Sequence, residues 1–159
     1  MHPNITRVVG AAADAGLEIS VQRFPEGTRT ADDAARAVGC EVSQIVKSLV
    51  FMVDDRAVVA LVSGANRVDM AKLSAALGAS TARRANGDEA RAATGVAIGG
   101  VPPFGHQRPV SVFVDPDLLR HDRVWAAAGL PDAVFAIGPD DLVRVSGGTV
   151  ADLAVRAPG

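Results

Sequence analysis

Apolar positions along this chain switch repeatedly between the spacing of a helix and the spacing of a strand. Helical spacing predicts five helices and one helical turn, and runs rich in Val, Leu, Ile and Phe predict strands. The predicted helices cover residues 5–13, 31–38, 70–77 and 88–94, with a helical turn at 115–119 and a last helix that begins at Pro139. The predicted strands cover residues 18–24, 47–53, 57–62, 110–114, 124–128 and 133–137.

The order of these elements indicates the fold class. The runs 47–53 and 57–62 flank the turn sequence Asp54-Asp55-Arg56, and the last two strands flank a second turn, so both pairs are predicted hairpins. Strands joined by hairpins pair antiparallel. We therefore expect an α+β (mixed α/β) fold with surrounding helices and a mixed, largely antiparallel sheet that is curved or barrel-like, and not a doubly wound parallel sheet.

The segment 96–105 begins like a strand and cannot continue as one. Val96-Ala97-Ile98 is followed by Gly99, Gly100 and Gly105 with two prolines between them. Prolines remove ladder donors, and glycines permit backbone angles that strands do not use. We expect this segment to leave the sheet as a shaped loop.

Length and composition limit the classes of protein that this chain can represent. With 159 residues, of which 48% are hydrophobic, we expect a single globular domain over residues 1–159. The net charge of -2 argues against coating of long duplex DNA, so no DNA partner is expected. The N-terminus lacks a leader pattern, and no window approaches the roughly 18 apolar residues of a membrane span, so we expect a cytoplasmic protein without a membrane partner.

Sequence motifs of common cofactor and metal sites are absent. The chain contains neither a GxGxxG motif after a strand nor a P-loop motif. His2, His106 and His121 lie far apart in the sequence, and Cys40 is the single cysteine. We therefore expect no metal and no cofactor.

Lys47 is one of two lysines in a chain with fourteen arginines. The period of a strand places Lys47 on the same face as Ile45, Leu49 and Phe51. The ordinary explanation is a lysine at a sheet edge whose ammonium reaches water past apolar neighbours. The alternative is a position that requires a compact ammonium for function, and the residues around Lys47 alone do not decide between them.

Four segments together resemble a known family. They are Lys47-Ser48-Leu49-Val50-Phe51, the stretch from Ala60 to Asp69, the stretch from Leu73 to Gly78, and Gly99-Gly100-Val101-Pro102-Pro103-Phe104-Gly105. The family that they resemble is the YbaK/ProX aminoacyl-tRNA-editing domain. The resemblance extends from the first helix to about Leu153. It depends on the combination of a strand lysine with a GxxxP loop at Gly99–Pro103.

The resemblance implies a free-standing relative of the editing insertion of prolyl-tRNA synthetase. Such proteins hydrolyse the ester between a wrong amino acid and a tRNA, most often tRNA(Pro), so the implied partners are the acceptor end of mischarged tRNA and prolyl-tRNA synthetase. A missing methylene changes binding by only about 1–3 kcal/mol, so a synthetase pocket cannot strongly exclude smaller amino acids. Two other classes stay open: a non-catalytic module that binds a tRNA end or a synthetase, and a small-ester hydrolase that uses His106.

The resemblance also implies roles for individual residues. Lys47 is expected to hold the terminal nucleotide by its phosphate or ribose, or to orient the ester. The main-chain N–H groups of Gly99, Gly100 and Val101 are expected to stabilise the oxyanion. The other residues predicted to bind substrate are Ser63, Gly64, Pro103, Phe104, Gly105 and His106. His106 is either a general base or a loop residue at the pocket rim, and we favour the rim. The apolar segments Val101-Pro102 and 124–129 favour a small aliphatic amino acid as the substrate.

Overall fold

The structure of this chain is a computed structural model that describes residues 1–28 and 30–156. The helices are α1 (Pro3–Asp14), α2 (Ala31–Val38), α3 (Met70–Leu77), α4 (Gly87–Thr94) and α5 (Pro139–Ser146), with 3-10 turns at Val42–Gln44 and Pro116–Arg120. The strands are β1 (Val21–Arg23), β2 (Val46–Val53), β3 (Arg56–Ser63), β4 (Asn66–Val68), β5 (Ala82–Arg84), β6 (Ser111–Val114), β7 (Val124–Ala127), β8 (Ala133–Ile137), β9 (Thr149–Val150) and β10 (Ala154–Arg156).

The strands form three sheets within the described residues. A five-stranded sheet has the order β5-β2-β3-β6-β9, a three-stranded sheet has the order β1-β8-β7, and β10 pairs with β4. Within the five-stranded sheet, β3 and β6 pair in parallel, as do β6 and β9, and the other pairs are antiparallel. The predicted mixed α+β class with a largely antiparallel sheet is confirmed. The barrel-like shape is not confirmed: the described strands form three sheets, and an isolated bridge joins Ile45, just before β2, to Trp125 of β7.

The central hairpin of β2 and β3 forms as predicted, except that Arg56 belongs to β3 and the turn has two residues. Its two turn residues, Asp54 and Asp55, have positive φ angles of 45° and 67°, the conformation that suits the twist of a two-residue hairpin. The Asp54 carboxylate also accepts hydrogen bonds from the main-chain N–H groups of Ser80 and Thr81. These bonds tie the hairpin to the chain just before β5 and so help to align β5 along β2.

The hairpin is buried on both faces, which explains its nearly continuous apolar sequence. Val50 and Leu61 point into a core shared with α1 and β8, whereas Phe51 and Val62 point into a second core with Leu73 of α3. Lys47 is paired with Val62 and shares the face of Leu49 and Phe51, as the period of the strand predicted. A lysine on this face is therefore partly removed from water.

Several elements differ from the sequence prediction. The predicted strand 18–24 is shorter and covers Val21–Arg23, and no strand forms between residues 96 and 101. The strands β4, β5, β9 and β10 were not predicted, because segments of two or three residues are too short to show a period. Within the part of the chain that the structure describes, no helix is both long and apolar enough to cross a membrane.

Candidate functional site

A cavity of about 390 Å³ opens beside the N-terminal half of β2. Its walls come from β2, α2, β7, the end of β5 and the loop after α4. Antiparallel pairing of β5 with β2 begins only at Phe51, so β5 leaves the edge of β2 before Val50 uncovered. The cavity therefore lies where the sheet leaves part of a central strand unpaired.

Lys47 lies in this cavity, and its ammonium donates a hydrogen bond to the main-chain carbonyl of Asn66. Burial lowers the pKa of Lys47 below its ordinary value, and the nearby Arg84 guanidinium lowers it further, whereas Asp115 opposes the shift. Among residues 1–28 and 30–156, Lys47 forms no ion pair with a carboxylate. The ammonium therefore keeps hydrogen-bonding capacity and charge for another partner.

A buried carboxylate fixes the residue that holds Lys47. Asp115 is fully buried and accepts hydrogen bonds from the Asn66 side-chain amide at 2.8 Å, from the Ser63 N–H at 3.1 Å and from the Asp117 N–H at 2.9 Å. The Asn66 amide also donates to Asp117 at 2.8 Å. Because buried charges require several hydrogen bonds, this network locks the turn between β3 and β4 and so positions the carbonyl that Lys47 contacts.

The loop after α4 presents main-chain donors at the cavity. Gly99 and Val101 line it, and Gly99 has a φ of 97°, which favours glycine. The N–H groups of Gly99 and Val101 donate to no acceptor in the described part of the chain, whereas the Gly100 N–H donates to the Ala97 carbonyl at 3.1 Å. Two of the three predicted oxyanion donors are thus unpaired, and the third is used within the loop.

Ser63 and Gly64 lie outside the lining of the cavity. The Ser63 hydroxyl donates to the Ser43 carbonyl at 2.8 Å, and a side chain at Gly64 would collide with the Val42 carbonyl and approach Ala31. Ser63 and Gly64 therefore have a structural role. Their contacts with Val42, Ser43 and Ala31 hold α2 and the turn after it against the hairpin.

Pro103, Phe104 and Gly105 also lie outside the cavity lining. The Phe104 ring packs against Phe135 with 5.6 Å between ring centroids. A side chain at Gly105 would come within 3.2 Å of the Arg7 carbonyl on α1. These residues anchor the loop to the core, and of its residues 99–101 only Gly99 and Val101 line the cavity.

His106 is not among the residues that line the cavity. Its Nε2 lies 2.7 Å from the Pro102 carbonyl, where the neutral ring donates as Nε2–H. Burial lowers the pKa of His106 below its ordinary value, against the opposing effect of the Pro102 hydrogen bond. His106 therefore stabilises the loop after α4 by a hydrogen bond to a carbonyl four residues earlier in the same loop.

The part of the cavity against α2 and β7 is apolar. This part of the wall is formed by Ala34 and Val38 of α2, Ile45 before β2, and Ala126 and Val134 of the three-stranded sheet. None of these side chains has a donor or an acceptor. This region suits a small apolar group better than a polar one.

Sequence reasoning did not find Asn66, Asp115 or Arg84 as members of the site. A signal for Asp115 exists, because an acidic residue directly follows the buried strand β6 and a polar Asn66 lies close to the end of β3. Arg84 carries no such signal, since the short strand β5 that places it at the cavity was itself not predicted.

Comparison with known proteins agrees with this architecture. A crystal structure of a candidate trans-editing enzyme for prolyl-tRNA synthetase matches with a TM-score of 0.91 and 46% sequence identity, covering 98% of this chain and 99% of that chain. The proline--tRNA ligase of Shouchella clausii is 32% identical over 107 residues, which are 67% of this chain and 19% of the ligase. The candidate Cys-tRNA(Pro)/Cys-tRNA(Cys) deacylase EbsC of Enterococcus faecalis is 23% identical over 134 residues, covering 84% of this chain and 82% of that protein.

The sequence profile of the family described as "Aminoacyl-tRNA editing domain" matches residues 25–145. The matched range contains the hairpin with Lys47, the Gly99–Val101 loop and the apolar part of the cavity. The resemblance inferred from the lysine strand and the GxxxP loop is therefore confirmed, and this chain belongs to the aminoacyl-tRNA editing domain family.

Proposed function

We propose that this protein is a trans-editing deacylase that hydrolyses the ester of mischarged tRNA, in particular tRNA(Pro) that carries a small aliphatic amino acid. One observation carries the proposal. A single cavity is lined by Lys47, by Gly99 and Val101, whose N–H groups donate to no acceptor among the described residues, and by an apolar wall. Such a reaction requires a cation that binds the nucleotide, N–H donors that stabilise an oxyanion, and an apolar site for the amino-acid side chain.

The chemistry that this arrangement supports is attack of water on the ester carbonyl carbon. The carbonyl oxygen becomes an oxyanion, which the N–H groups of Gly99 and Val101 are placed to stabilise. The bond from the carbonyl carbon to the ribose oxygen then breaks, and the ribose oxygen takes a proton. The products are the free amino acid and uncharged tRNA. Because the described lining of the cavity holds no His, Asp, Glu or Cys, the rate enhancement in this proposal comes from positioning and fixed dipoles.

The proposed amino acid follows from the apolar wall. An alanyl methyl group gains contacts with Ala34, Val38 and Ile45, whereas a seryl hydroxyl against the same side chains loses its hydrogen bonds to water. The name of the relative EbsC offers cysteine as the competing substrate. Cysteine is close to alanine in size, so the comparison of these two esters is the sharpest test of selectivity.

The test is a deacylation assay with tRNA(Pro) charged with alanine, cysteine, serine or proline. We expect release of alanine to be the fastest, no release of proline, and loss of turnover in Lys47→Ala. Faster release of cysteine or serine would overturn the proposed amino acid and leave the deacylase proposal standing. Absence of hydrolysis with every tRNA would overturn the deacylase itself. Normal hydrolysis by Lys47→Ala would overturn the role proposed for Lys47.

The same assay separates the two alternative functions. Tight binding of uncharged and charged tRNA without hydrolysis would identify a binding module. Cleavage of small free esters with no action on aminoacyl-tRNA would identify a small-ester hydrolase. The position of His106 away from the cavity lining argues against that second alternative.

A further inference from the structure

We propose that Arg84 adds a second cation to the nucleotide-binding position that the family resemblance implies for Lys47. In this phosphate-binding subsite, Arg84 binds the last phosphodiester group of the tRNA acceptor end. This inference rests on the proposed function and extends it, since it assigns a direction to the substrate in the cavity. It also gives a role to Arg84, which forms no ion pair within the part of the chain that the structure describes.

Arg84 is held at the cavity by a cation–π contact, which does not neutralise its charge. It pairs with Phe51 across the strands β5 and β2, and its guanidinium carbon lies 5.7 Å from the centre of the Phe51 ring. Cation–π contact orients a guanidinium without neutralising it. Arg84 lines the cavity together with Lys47, and within the described residues it forms no ion pair.

The adjacent residue shows that this arrangement is specific to position 84. Arg83 donates two hydrogen bonds to the Glu89 carboxylate, at 2.7 Å and 2.6 Å, so its charge is balanced. Arg84 points to the other side of β5, towards the cavity, and has no such partner among residues 1–28 and 30–156. Two neighbouring arginines on one short strand thus have different roles.

Two cations at one cavity repel each other, and a bound anion removes this repulsion. Among charged groups, Arg84 lowers the pKa of Lys47 the most and Arg67 lowers it further, whereas the buried Asp115 opposes them. An arginine fork beside an ammonium is a favourable arrangement for a phosphate group.

The chemistry of an aminoacyl-tRNA end determines which group enters the subsite. Its α-amino group is positively charged near neutral pH and its ester is neutral, so the phosphodiester is the anionic group near the ester. The cations Lys47 and Arg84 therefore attract the nucleotide and repel the amino group. This places the phosphate beside Arg84 and directs the amino acid towards the apolar wall near Ala34 and Ile45.

The test compares two small substrates that differ in one phosphate group: 3′-O-alanyl-adenosine and the same ester with a 5′-phosphate. We expect Arg84→Ala to lower kcat/KM for the phosphorylated ester and for alanyl-tRNA about 10- to 100-fold, through KM, as for loss of a hydrogen bond between charged groups. The ester without phosphate should be cleaved equally by wild type and variant. The slope of log KM against log salt for the tRNA should fall by about one.

Arg83→Ala is the matched control, because it removes the same charge from the same strand outside the cavity. Its kcat/KM for the phosphorylated ester should stay near that of wild type. Equal losses for Arg83→Ala and Arg84→Ala, equal losses with and without the phosphate, or no loss in Arg84→Ala would each overturn the subsite.

A binding measurement keeps this test separate from the test of catalysis. Adenosine 5′-monophosphate should bind wild type more tightly than adenosine does, and Arg84→Ala should abolish that difference, whether or not the protein hydrolyses any ester. If no ester is cleaved but this difference is present, the deacylase fails and the subsite stands. If esters are cleaved and both nucleotides bind equally to wild type, the subsite fails and the deacylase stands.

Discussion

The ammonium of Lys47 donates to the main-chain carbonyl of Asn66, and the Asn66 side chain is bound by the buried carboxylate of Asp115. The cation is therefore positioned by the backbone of a turn and not by an ion pair. A carbonyl directs the ammonium without cancelling its charge, whereas a carboxylate at the same place would neutralise it. This relationship explains how an apolar strand can keep a lysine available to an anionic ligand.

Replacement of Lys47 by Met should remove function while leaving the fold intact. Met keeps the apolar stem, and loss of a partly desolvated charge imposes no packing defect. We expect the rate of deacylation to fall at least about 100-fold, since a mispositioned substrate alone has an effect of that size. Lys47→Arg should not restore the rate, because the planar guanidinium does not replace a compact ammonium. Single-turnover deacylation and thermal unfolding measure the two effects.

Lys72→Met is the control for this substitution. Lys72 is the other lysine of the chain, and it binds Asp152 and the Ala154 carbonyl, outside the cavity lining. Its replacement should leave the deacylation rate unchanged. A similar loss of rate in both variants would contradict a specific role for Lys47.

Substitutions in the Asp115 network should lower both stability and activity. Asn66→Ala removes two donated hydrogen bonds and leaves part of the buried Asp115 carboxylate unsatisfied. We expect the free energy of unfolding to fall by about 1–3 kcal/mol, and Asp115→Ala to have a larger effect, because the Ser63 N–H also loses its acceptor. Chemical denaturation at one pH measures the stability of both variants, and the deacylation assay measures their activity. If Asn66→Ala is as stable as wild type but inactive, Asn66 has a more direct role than positioning.

The sequence predicted most elements of this fold and part of its site, for identifiable reasons. The helices and long strands have strong apolar periods with capping residues, such as Thr30 before α2 and Gly78 after α3. Lys47 was recognisable because a lysine interrupts an apolar strand. By contrast, Arg84 reaches the cavity through the short strand β5, which no local pattern predicts. Asp115 has a local signal in its place directly after β6, but its role depends on a tertiary contact with Asn66.

Gly100→Ala should disturb the loop that carries the oxyanion donors. A Cβ at position 100 would lie 3.0 Å from Leu130 Cα and 3.1 Å from the Gly129 carbonyl atoms, and main-chain atoms cannot rotate away as a side chain can. The loop would shift and carry the N–H groups of Gly99 and Val101 with it. We expect kcat to fall about 10- to 100-fold, measured under saturating alanyl-tRNA. Unchanged kcat would argue against a role for these N–H groups.

Gly10→Ala is the matched control for a glycine replacement. Gly10 is exposed in the middle of α1, and a Cβ there would meet no atom within 4 Å. Alanine is favoured over glycine inside a helix by about 0.8–1 kcal/mol, so the free energy of unfolding should rise by that amount. The deacylation rate should stay the same. A loss of rate in this variant would indicate that the assay responds to unrelated changes of the fold.

His106→Gln should retain turnover and change how stability depends on pH. Glutamine can donate to the Pro102 carbonyl in place of Nε2–H but does not titrate. Burial lowers the pKa of His106 below its ordinary value of 6.5 in the folded state, so below pH 6.5 the unfolded chain binds more protons. The free energy of unfolding of wild type should therefore fall, relative to the variant, as the pH decreases from about 7 through 6.5 towards the lowered pKa. Urea unfolding of both proteins across this range measures the difference, and parallel curves, or loss of turnover in a folded His106→Gln variant, would contradict a purely structural histidine.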